Sequence, residues 1–226
     1  MMIIKPKNLN YKEIILLFVI YLALFSNAII HNDSIIALAS AFFGITYTFL
    51  AGKGNPICYI LGLTGSGFYC YLAYHNALWG NLILYLCYYI PMQILGFFKW
   101  NKHLKKDKSG VIKIELLLKE RVYLIGINLI LSLVAIIILA HFGDKSPVID
   151  GITTVLSITG MYLTVKRAIE QWLVWVVVNG LSVIMWLKIA LCGEKVLSTV
   201  IMWGVYFILA IYFYIIWRRE IKAKAL

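Results

Sequence analysis

The chain has 226 residues, of which 62% are hydrophobic and only 14% are charged. A soluble domain of this size would expose too much apolar surface to stay dispersed, so the composition excludes a soluble enzyme and predicts a polytopic membrane protein. The formal net charge of +11 could suggest a nucleic-acid partner. However, the basic residues cluster at the ends of apolar segments and in one loop, without interleaved aromatics, which favours phospholipid headgroups and disfavours nucleic acid.

Eight apolar segments follow one another along the chain, each close to the roughly 20 residues that a bilayer requires. They cover residues 13–30, 34–51, 56–75, 79–99, 121–141, 149–165, 170–190 and 195–217. Short connections force neighbouring helices to run antiparallel. The first segment resembles a signal peptide, but its length and the spans that follow favour an uncleaved helix. The predicted fold is therefore an all-α membrane protein with eight transmembrane helices.

Basic residues set the expected orientation. If the N-terminus is cytoplasmic, all but three of the 21 lysines and arginines (Lys145, Lys188 and Lys195) fall on the inner side. The positive-inside rule then predicts that both termini are cytoplasmic. The lysine-rich link 100–120 is interpreted as a cytoplasmic loop that faces the lipid surface, with a docking site for a cytosolic partner as the alternative.

An internal repeat is indicated by a shift of 117 residues. The shift superimposes residues 33–100 on residues 150–217, so that three spans in each half match without gaps, and Trp100 falls on Trp217. Residues 34–100 hold the first repeat. Residues 1–33 hold an additional helix, residues 101–147 hold the link and a linker helix, and residues 148–226 hold the second repeat and a basic tail. This 3+1+3 plan gives parallel repeats, an arrangement typical of transporters with a substrate site between the halves.

The seventh segment carries a polar and aromatic stripe. At about 100° per residue, five of its side chains fall within one arc of roughly 80°. They are Trp172, Trp175, Asn179, Ser182 and Trp186. An unpaired amide facing lipid costs several kcal/mol, so this face is expected to turn toward protein or a cavity. An interface belt for the tryptophans and a structural interhelix hydrogen bond for Asn179 are the alternatives.

Two other segments add polar faces. On the fourth span, Tyr85, Tyr89 and Gln93 recur every four residues beside Pro91, which predicts a kink and a cavity wall. The sixth span carries a series of small residues, for which close helix packing and a polar contact are both open. The members of the series are Thr153, Thr154, Ser157 and Gly160.

The chemistry that these residues support is reversible binding rather than catalysis. No Asp, Glu, Lys, Arg or His lies inside a span, apart from residues at span ends such as Asp150. A proton-coupled transporter usually keeps a carboxylate or histidine at depth, and an intramembrane enzyme needs a nucleophile with a base or a metal. The four cysteines form no close pair, which disfavours a metal or a disulfide framework. We expect no catalytic residue, metal or cofactor.

These motifs resemble the PnuC family of vitamin transporters, in its nicotinamide riboside branch. The most specific is Trp172-x-x-Trp175-x-x-x-Asn179. The run 80–100, with Pro91-Met92-Gln93 followed by Gly96-Phe97, and the stretch 150–160 are similar as well. Met161 departs from the glutamine that the family pattern has at that position.

The resemblance implies a fold like that of the SWEET sugar transporters, a homotrimer in the cell membrane, and facilitated uptake of nicotinamide riboside for NAD biosynthesis. Cytoplasmic phosphorylation would then trap the substrate. The expected substrate contacts are Trp172, Trp175, Asn179, Gln93, Tyr89, Tyr85, Thr154 and Ser157. Thiamine, another aromatic cation, is the alternative substrate, and riboflavin is a weaker one because it is larger and neutral.

Overall fold

The structure is a computed structural model that describes residues 11–31, 35–75, 79–107, 109–143, 146–192 and 197–223. These residues form nine α-helices and one π-helical turn: α1 (Tyr11–His31), α2 (Ile35–Gly52), α3 (Cys58–His75), α4 (Trp79–Leu84), the π-helical turn (Tyr85–Tyr89), α5 (Ile90–Lys102), α6 (Leu118–His141), α7 (Pro147–Lys166), α8 (Glu170–Leu191) and α9 (Leu197–Lys222). Because α4, the π-helical turn and α5 are continuous, they correspond to one predicted span.

Six of the described helical segments are long and apolar enough to cross a membrane. They are Glu13–Ile30, Leu82–Lys102, Leu118–His141, Pro147–Lys166, Glu170–Lys188 and Thr199–Lys222, and Leu38–Gly52 is a shorter apolar helix. The all-α, multi-pass membrane class is therefore confirmed, and a total of eight crossings stays a prediction. The predicted breaks at residues 32–34, 76 and 193–194 lie outside the described residues, as does Lys108 of the basic link.

Several helix ends differ from the predicted ones for local reasons. The α6 helix begins at Leu118 rather than 121, because the backbone N–H of Leu117 donates to Glu120 Oε2 (2.9 Å) and so caps the first turn. The α7 helix begins with Pro147, which needs no hydrogen-bond partner at that position, and it ends at Arg167 in a left-handed conformation (φ 65°). The α9 helix runs on to Lys222, five residues beyond the predicted end.

The chain divides into two compact units, residues 1–112 and residues 113–226. The division lies within the basic link, so α6 belongs to the second unit, where it packs against α7. Each unit has its own core of fully buried large side chains. In the first unit these include Ile45, Phe49, Tyr59 and Trp100, and in the second Leu163, Val178, Leu209, Phe213 and Trp217.

Helix α1 is fastened to the rest of the first unit by two polar contacts. Glu13, which is only 4% exposed, forms an ion pair with Lys53 in the turn after α2. About two turns further along α1, the hydroxyl groups of Tyr21 and Thr46 lie 2.7 Å apart. A buried carboxylate needs such a partner, so the acidic residue at the start of α1 has a structural explanation.

The basic link is more ordered than the sequence predicted. In the first unit, Leu104 and Val111 form a β-bridge, and the N–H of Val111 donates to the carbonyl oxygen of Gly54 (2.9 Å). Val111 is completely buried, and Leu116 is only 4% exposed. The interpretation of the link as a loop facing the lipid surface is therefore wrong for these apolar residues, because they find partners within the protein.

In the second unit, the next residues of the link also form backbone hydrogen bonds with the protein. Ile114 donates its N–H to the carbonyl oxygen of Arg167 (3.1 Å) and accepts a hydrogen bond from the N–H of Ile169 (2.9 Å). This pairing lies in the turn between α7 and α8. It places the start of α8, and with it the tryptophan motif, against a fixed piece of backbone.

Candidate substrate site

The fourth predicted span changes its winding where the sequence predicted a kink. Pro91 has no N–H to donate to the carbonyl oxygen of Cys87, and its ring would clash with that oxygen in a regular α-helix. The chain responds with a π-helical turn over Tyr85–Tyr89, in which the N–H of Ile90 donates to Tyr85 O, five residues back. Such turns are frequent at functional sites because they shift the side chains around them.

The tyrosines of this turn form a stack within the first unit. The rings of Tyr85 and Tyr89 lie 4.9 Å apart, and Tyr85 also stacks on Tyr69 of α3 at 4.3 Å. The wider winding of the π-helical turn keeps residues four apart on the same face. Both tyrosines are half-buried, and their role as a cavity wall stays a prediction.

Gln93 is buried, with 6% of its surface exposed, and its amide is held at one end only. Its Nε2 donates to the hydroxyl oxygen of Ser66 on α3 at 2.9 Å. Its Oε1 is buried and has no hydrogen-bond partner among the described residues. A buried carbonyl oxygen without a partner costs about 1–3 kcal/mol, so this acceptor is available to a ligand that brings a donor.

The space beside that oxygen depends on a glycine. A Cβ on Gly62 would lie 3.2 Å from Gln93 Oε1 and 2.8 Å from a ring carbon of Tyr47. One turn after Gln93, a Cβ on Gly96 would lie 2.3 Å from Cζ of Tyr59. Gly62 therefore leaves room for Tyr47 of α2 and for the Gln93 amide, and Gly96 leaves room for Tyr59 of α3.

The stripe on α8 faces protein, as its composition predicted. Trp172, Asn179 and Ser182 are only 2–4% exposed, whereas Leu173 and Val177 on the other face are 46% and 47% exposed. The alternative of a lipid-facing belt is therefore wrong for Trp172. Its ring lies 5.4 Å from that of Phe213 and 5.6 Å from that of Trp217, both on α9.

Trp175 differs from Trp172 because it is only half-buried. Its Nε1 donates to the hydroxyl oxygen of Thr164 at 3.2 Å, and Thr164 in turn donates to the carbonyl oxygen of Gly160 at 2.8 Å. A Cβ on Gly160 would lie 2.9 Å from Cε2 of the Trp175 ring. Gly160 therefore leaves room for the Trp175 indole, and the role of this glycine is close packing.

The remaining predicted residues lie at different depths within the second unit. Asn179 is nine residues beyond the start of α8, which places it about 13 Å along the helix at 1.5 Å per residue. On α7, Ser157 is half-buried and Thr154 is exposed. Met161, at the position where the family pattern has glutamine, is 2% exposed and part of the apolar interior.

Each unit contains an edge-to-face pair of aromatic rings that involves a tryptophan near the end of its last helix. The rings of Tyr59 and Trp100 meet edge to face at 5.0 Å and 83°, and those of Trp172 and Trp217 at 5.6 Å and 80°. Counted from Tyr59 and from Trp172, the polar residues Ser66 and Asn179 both follow seven positions later.

Contrary to the prediction from the sequence, the helix positions show that the two halves do not match at a single shift without gaps. The starts of α2 and α7 (35 and 147) and of α3 and α8 (58 and 170) are 112 residues apart, whereas Trp100 and Trp217 are 117 apart. A single shift of 117 therefore fails for the first two helices of each half.

Sequence reasoning missed Ser66 and the glycines that surround it. The signal was present in the run Gly62-Leu63-Thr64-Gly65-Ser66, which has small residues four positions apart. Such spacing marks close helix approach in membranes. It does not reveal that a glutamine on another helix takes the serine as its partner.

Buried neutral amides and half-buried aromatic rings, placed in long apolar helices, define a membrane protein of the solute-transporter class. Comparison with known proteins gives the family. Residues 34–219 match the model of the nicotinamide mononucleotide transporter family. The chain belongs to this family, that of the PnuC transporters, and of the described helices α1 precedes the matched region.

Two curated relatives carry the name nicotinamide riboside transporter PnuC. The protein from Neisseria mucosa is 31% identical over 199 residues, which is 86% of this chain and 76% of the relative. The protein from Haemophilus influenzae is 29% identical over 211 residues, 90% of each chain. The crystal structure of a vitamin B3 transporter PnuC superimposes with a TM-score of 0.82 and 29% identity, covering 96% of this chain and 94% of that one.

Proposed function

We propose that this protein is a facilitator that takes up nicotinamide riboside across the cell membrane. The observation that carries the proposal is the buried amide of Gln93, which keeps one hydrogen-bond acceptor without a partner among the described residues. The family membership and the names of the relatives support the same substrate. The polar groups at depth are neutral, which suits release of the solute down its own gradient.

The riboside offers a chemical group for each part of this arrangement. Within the first unit, its carboxamide N–H groups donate to Gln93 Oε1. Within the second unit, Asn179 offers a buried amide of the same chemistry. The enclosed position of Oε1 requires a shift of Tyr47 or of the π-helical turn before the ligand arrives. We assign that shift to the opening step of transport, since single π-helical turns within α-helices are frequent at functional sites.

The pyridinium ring of the riboside is a cation, and an indole face attracts it with about 2 kcal/mol when both are desolvated. We assign this role to Trp175, whose ring is half-buried and is held in place by Thr164 and Gly160. Trp172 lies against Trp217 and supports the start of the motif. The further proposed contacts are Tyr85 and Tyr89 in the first unit and Thr154 and Ser157 in the second, whose hydroxyl groups suit a ribose.

We further propose eight membrane crossings in a 3+1+3 repeat of the SWEET type, a homotrimer, and cytoplasmic termini. The repeated edge-to-face pairs, Tyr59 with Trp100 and Trp172 with Trp217, support the repeat. The basic tail and the lysine-rich link support the orientation. Phosphorylation of the riboside in the cytoplasm would keep its inward gradient.

A calorimetric titration of the purified protein with nicotinamide riboside, thiamine and riboflavin tests the proposal. We expect binding of the riboside and much weaker binding of the other two. Preferential binding of thiamine would transfer the assignment to the alternative aromatic cation. Replacement of Asn179 by Ala should abolish riboside binding while the amount of folded protein stays the same.

A further inference from the structure

A cleft lies in the second unit, and its lining includes none of the proposed substrate contacts. It is formed where α6 and α8 begin and α9 ends, and it has a volume of about 150 Å³. Its walls include Glu115, Arg121, Glu170, Leu173, Tyr214 and Arg218. The transport mechanism proposed above uses none of these residues.

One wall of the cleft carries two carboxylates that share a single guanidinium group. Arg121 donates from Nε to Glu170 Oε1 at 2.9 Å and forms an ion pair with Glu115. Glu170 Oε1 also accepts the backbone N–H of Leu116 at 3.1 Å. The three charged groups together leave a surplus of one negative charge.

The excess negative charge is assigned to Glu170, whose second carboxylate oxygen is buried in the protein. Glu170 is only 9% exposed, and its Oε2 is buried without a hydrogen-bond partner among the described residues. A carboxylate oxygen in such a position is costly unless a donor reaches it. The cleft therefore needs a small cationic group that can donate hydrogen bonds.

The other wall is cationic at its rim and apolar beneath. The guanidinium group of Arg218 lies over the ring of Tyr214, 5.9 Å from its centroid, and remains exposed. Leu173 is 46% exposed beside it. The cleft thus presents a surplus carboxylate, a guanidinium group and an apolar surface, and its formal net charge is zero.

We propose that this cleft binds the headgroup of phosphatidylethanolamine, a zwitterionic phospholipid with a primary ammonium group. The ammonium donates to Glu170 and Glu115, the phosphate pairs with Arg218, and an acyl chain passes Leu173 into the bilayer. The cleft lies at helix ends, next to the basic tail, where headgroups are located. An anionic lipid would leave the surplus carboxylate without a partner, and the three methyl groups of choline would remove its donors.

Native mass spectrometry of the delipidated full chain tests the proposal with phosphatidylethanolamine, phosphatidylcholine and phosphatidylglycerol of identical acyl chains. We expect the ethanolamine lipid to bind at least about fivefold more tightly than the choline lipid, because hydrogen bonds to charged groups are worth that factor or more. Arg218→Gln should lower binding of the ethanolamine and choline lipids alike, because it removes the partner of the phosphate that both lipids carry. Arg219→Gln is the matched control, since Arg219 is equally exposed on α9 but does not line the cleft.

Equal binding of the ethanolamine and choline lipids by the unaltered protein would overturn the proposal, whatever the variants do. So would preferential binding of phosphatidylglycerol with equal losses in both arginine variants, because that pattern indicates general attraction of anionic lipids to the basic tail. A selective loss in Arg218→Gln alone would support it.

Discussion

Replacement of Ser66 by Ala should change which riboside the protein accepts, and by an amount that the structure sets. The hydroxyl oxygen of Ser66 accepts the hydrogen bond from Gln93 Nε2 at 2.9 Å in the protein interior, and this contact leaves Oε1 as the end of the amide proposed to accept from the ligand. Without the hydroxyl group, the amide can rotate and present either end.

The magnitude follows from the cost of a buried mismatch. Nicotinic acid riboside carries a carboxylate where nicotinamide riboside carries a carboxamide, so it opposes the fixed carbonyl oxygen of Gln93 without a donor. A buried acceptor left unpaired costs about 2 kcal/mol, which corresponds to about a thirtyfold preference for the amide. In Ser66→Ala, rotation of Gln93 supplies an N–H to the acid, and most of that preference should disappear.

The assay is the initial rate of counterflow in proteoliposomes, measured for both ribosides with equal amounts of protein. Thr64→Val is the matched control, because Thr64 is an exposed residue of the same helix whose hydroxyl group donates to the carbonyl oxygen of Ile60 one turn back. A general loss of stability would lower both rates and leave their ratio unchanged. An unchanged ratio in Ser66→Ala, with normal abundance, would refute the role of Gln93 in recognising the carboxamide.

Two further predictions concern packing and ring contacts. Gly96→Ala places a Cβ 2.3 Å from Cζ of the buried Tyr59, so the melting temperature in detergent should fall by several degrees, corresponding to about 1–3 kcal/mol. Gly67→Ala is the control, because its Cβ meets nothing within 4 Å and should leave the melting temperature nearly unchanged. Equal effects of the two substitutions would contradict the close approach of α3 and α5. Trp175→Phe removes the indole N–H and weakens the attraction for a cation, so the affinity for nicotinamide riboside should fall by about tenfold, whereas the affinity for its uncharged dihydro form should change little. A similar loss for both forms would exclude the cation–π contact.

The class of the protein and the orientation of α8 were predictable because both depend on local chemistry. A run of apolar residues requires lipid or protein around it, and an amide such as Asn179 requires a partner or a cavity, whatever the rest of the chain does. Burial of the α8 stripe followed directly from this reasoning. The kink before Pro91 was predictable for the same reason, although its form, a π-helical turn, was not.

The contacts around Gln93 could not be predicted, because they join helices that are distant in sequence. The small-residue run around Ser66 indicates close helix packing, but it does not show that Ser66 is the partner of Gln93, which depends on the packing of α3 against α5. The hydrogen bond from Val111 to Gly54, in the turn after α2, is likewise a tertiary contact. Val111 is buried, although it lies in a polar, lysine-rich segment that is expected at the surface.

The most direct test of the central claim is counterflow of labelled nicotinamide riboside in proteoliposomes that contain the unlabelled riboside, with and without a protonophore. The account predicts transient accumulation of label that the protonophore does not change, and none with Asn179→Ala at equal abundance. Absence of exchange by the unaltered protein, or its collapse when the proton gradient is removed, would contradict a facilitator that recognises the riboside through neutral buried amides.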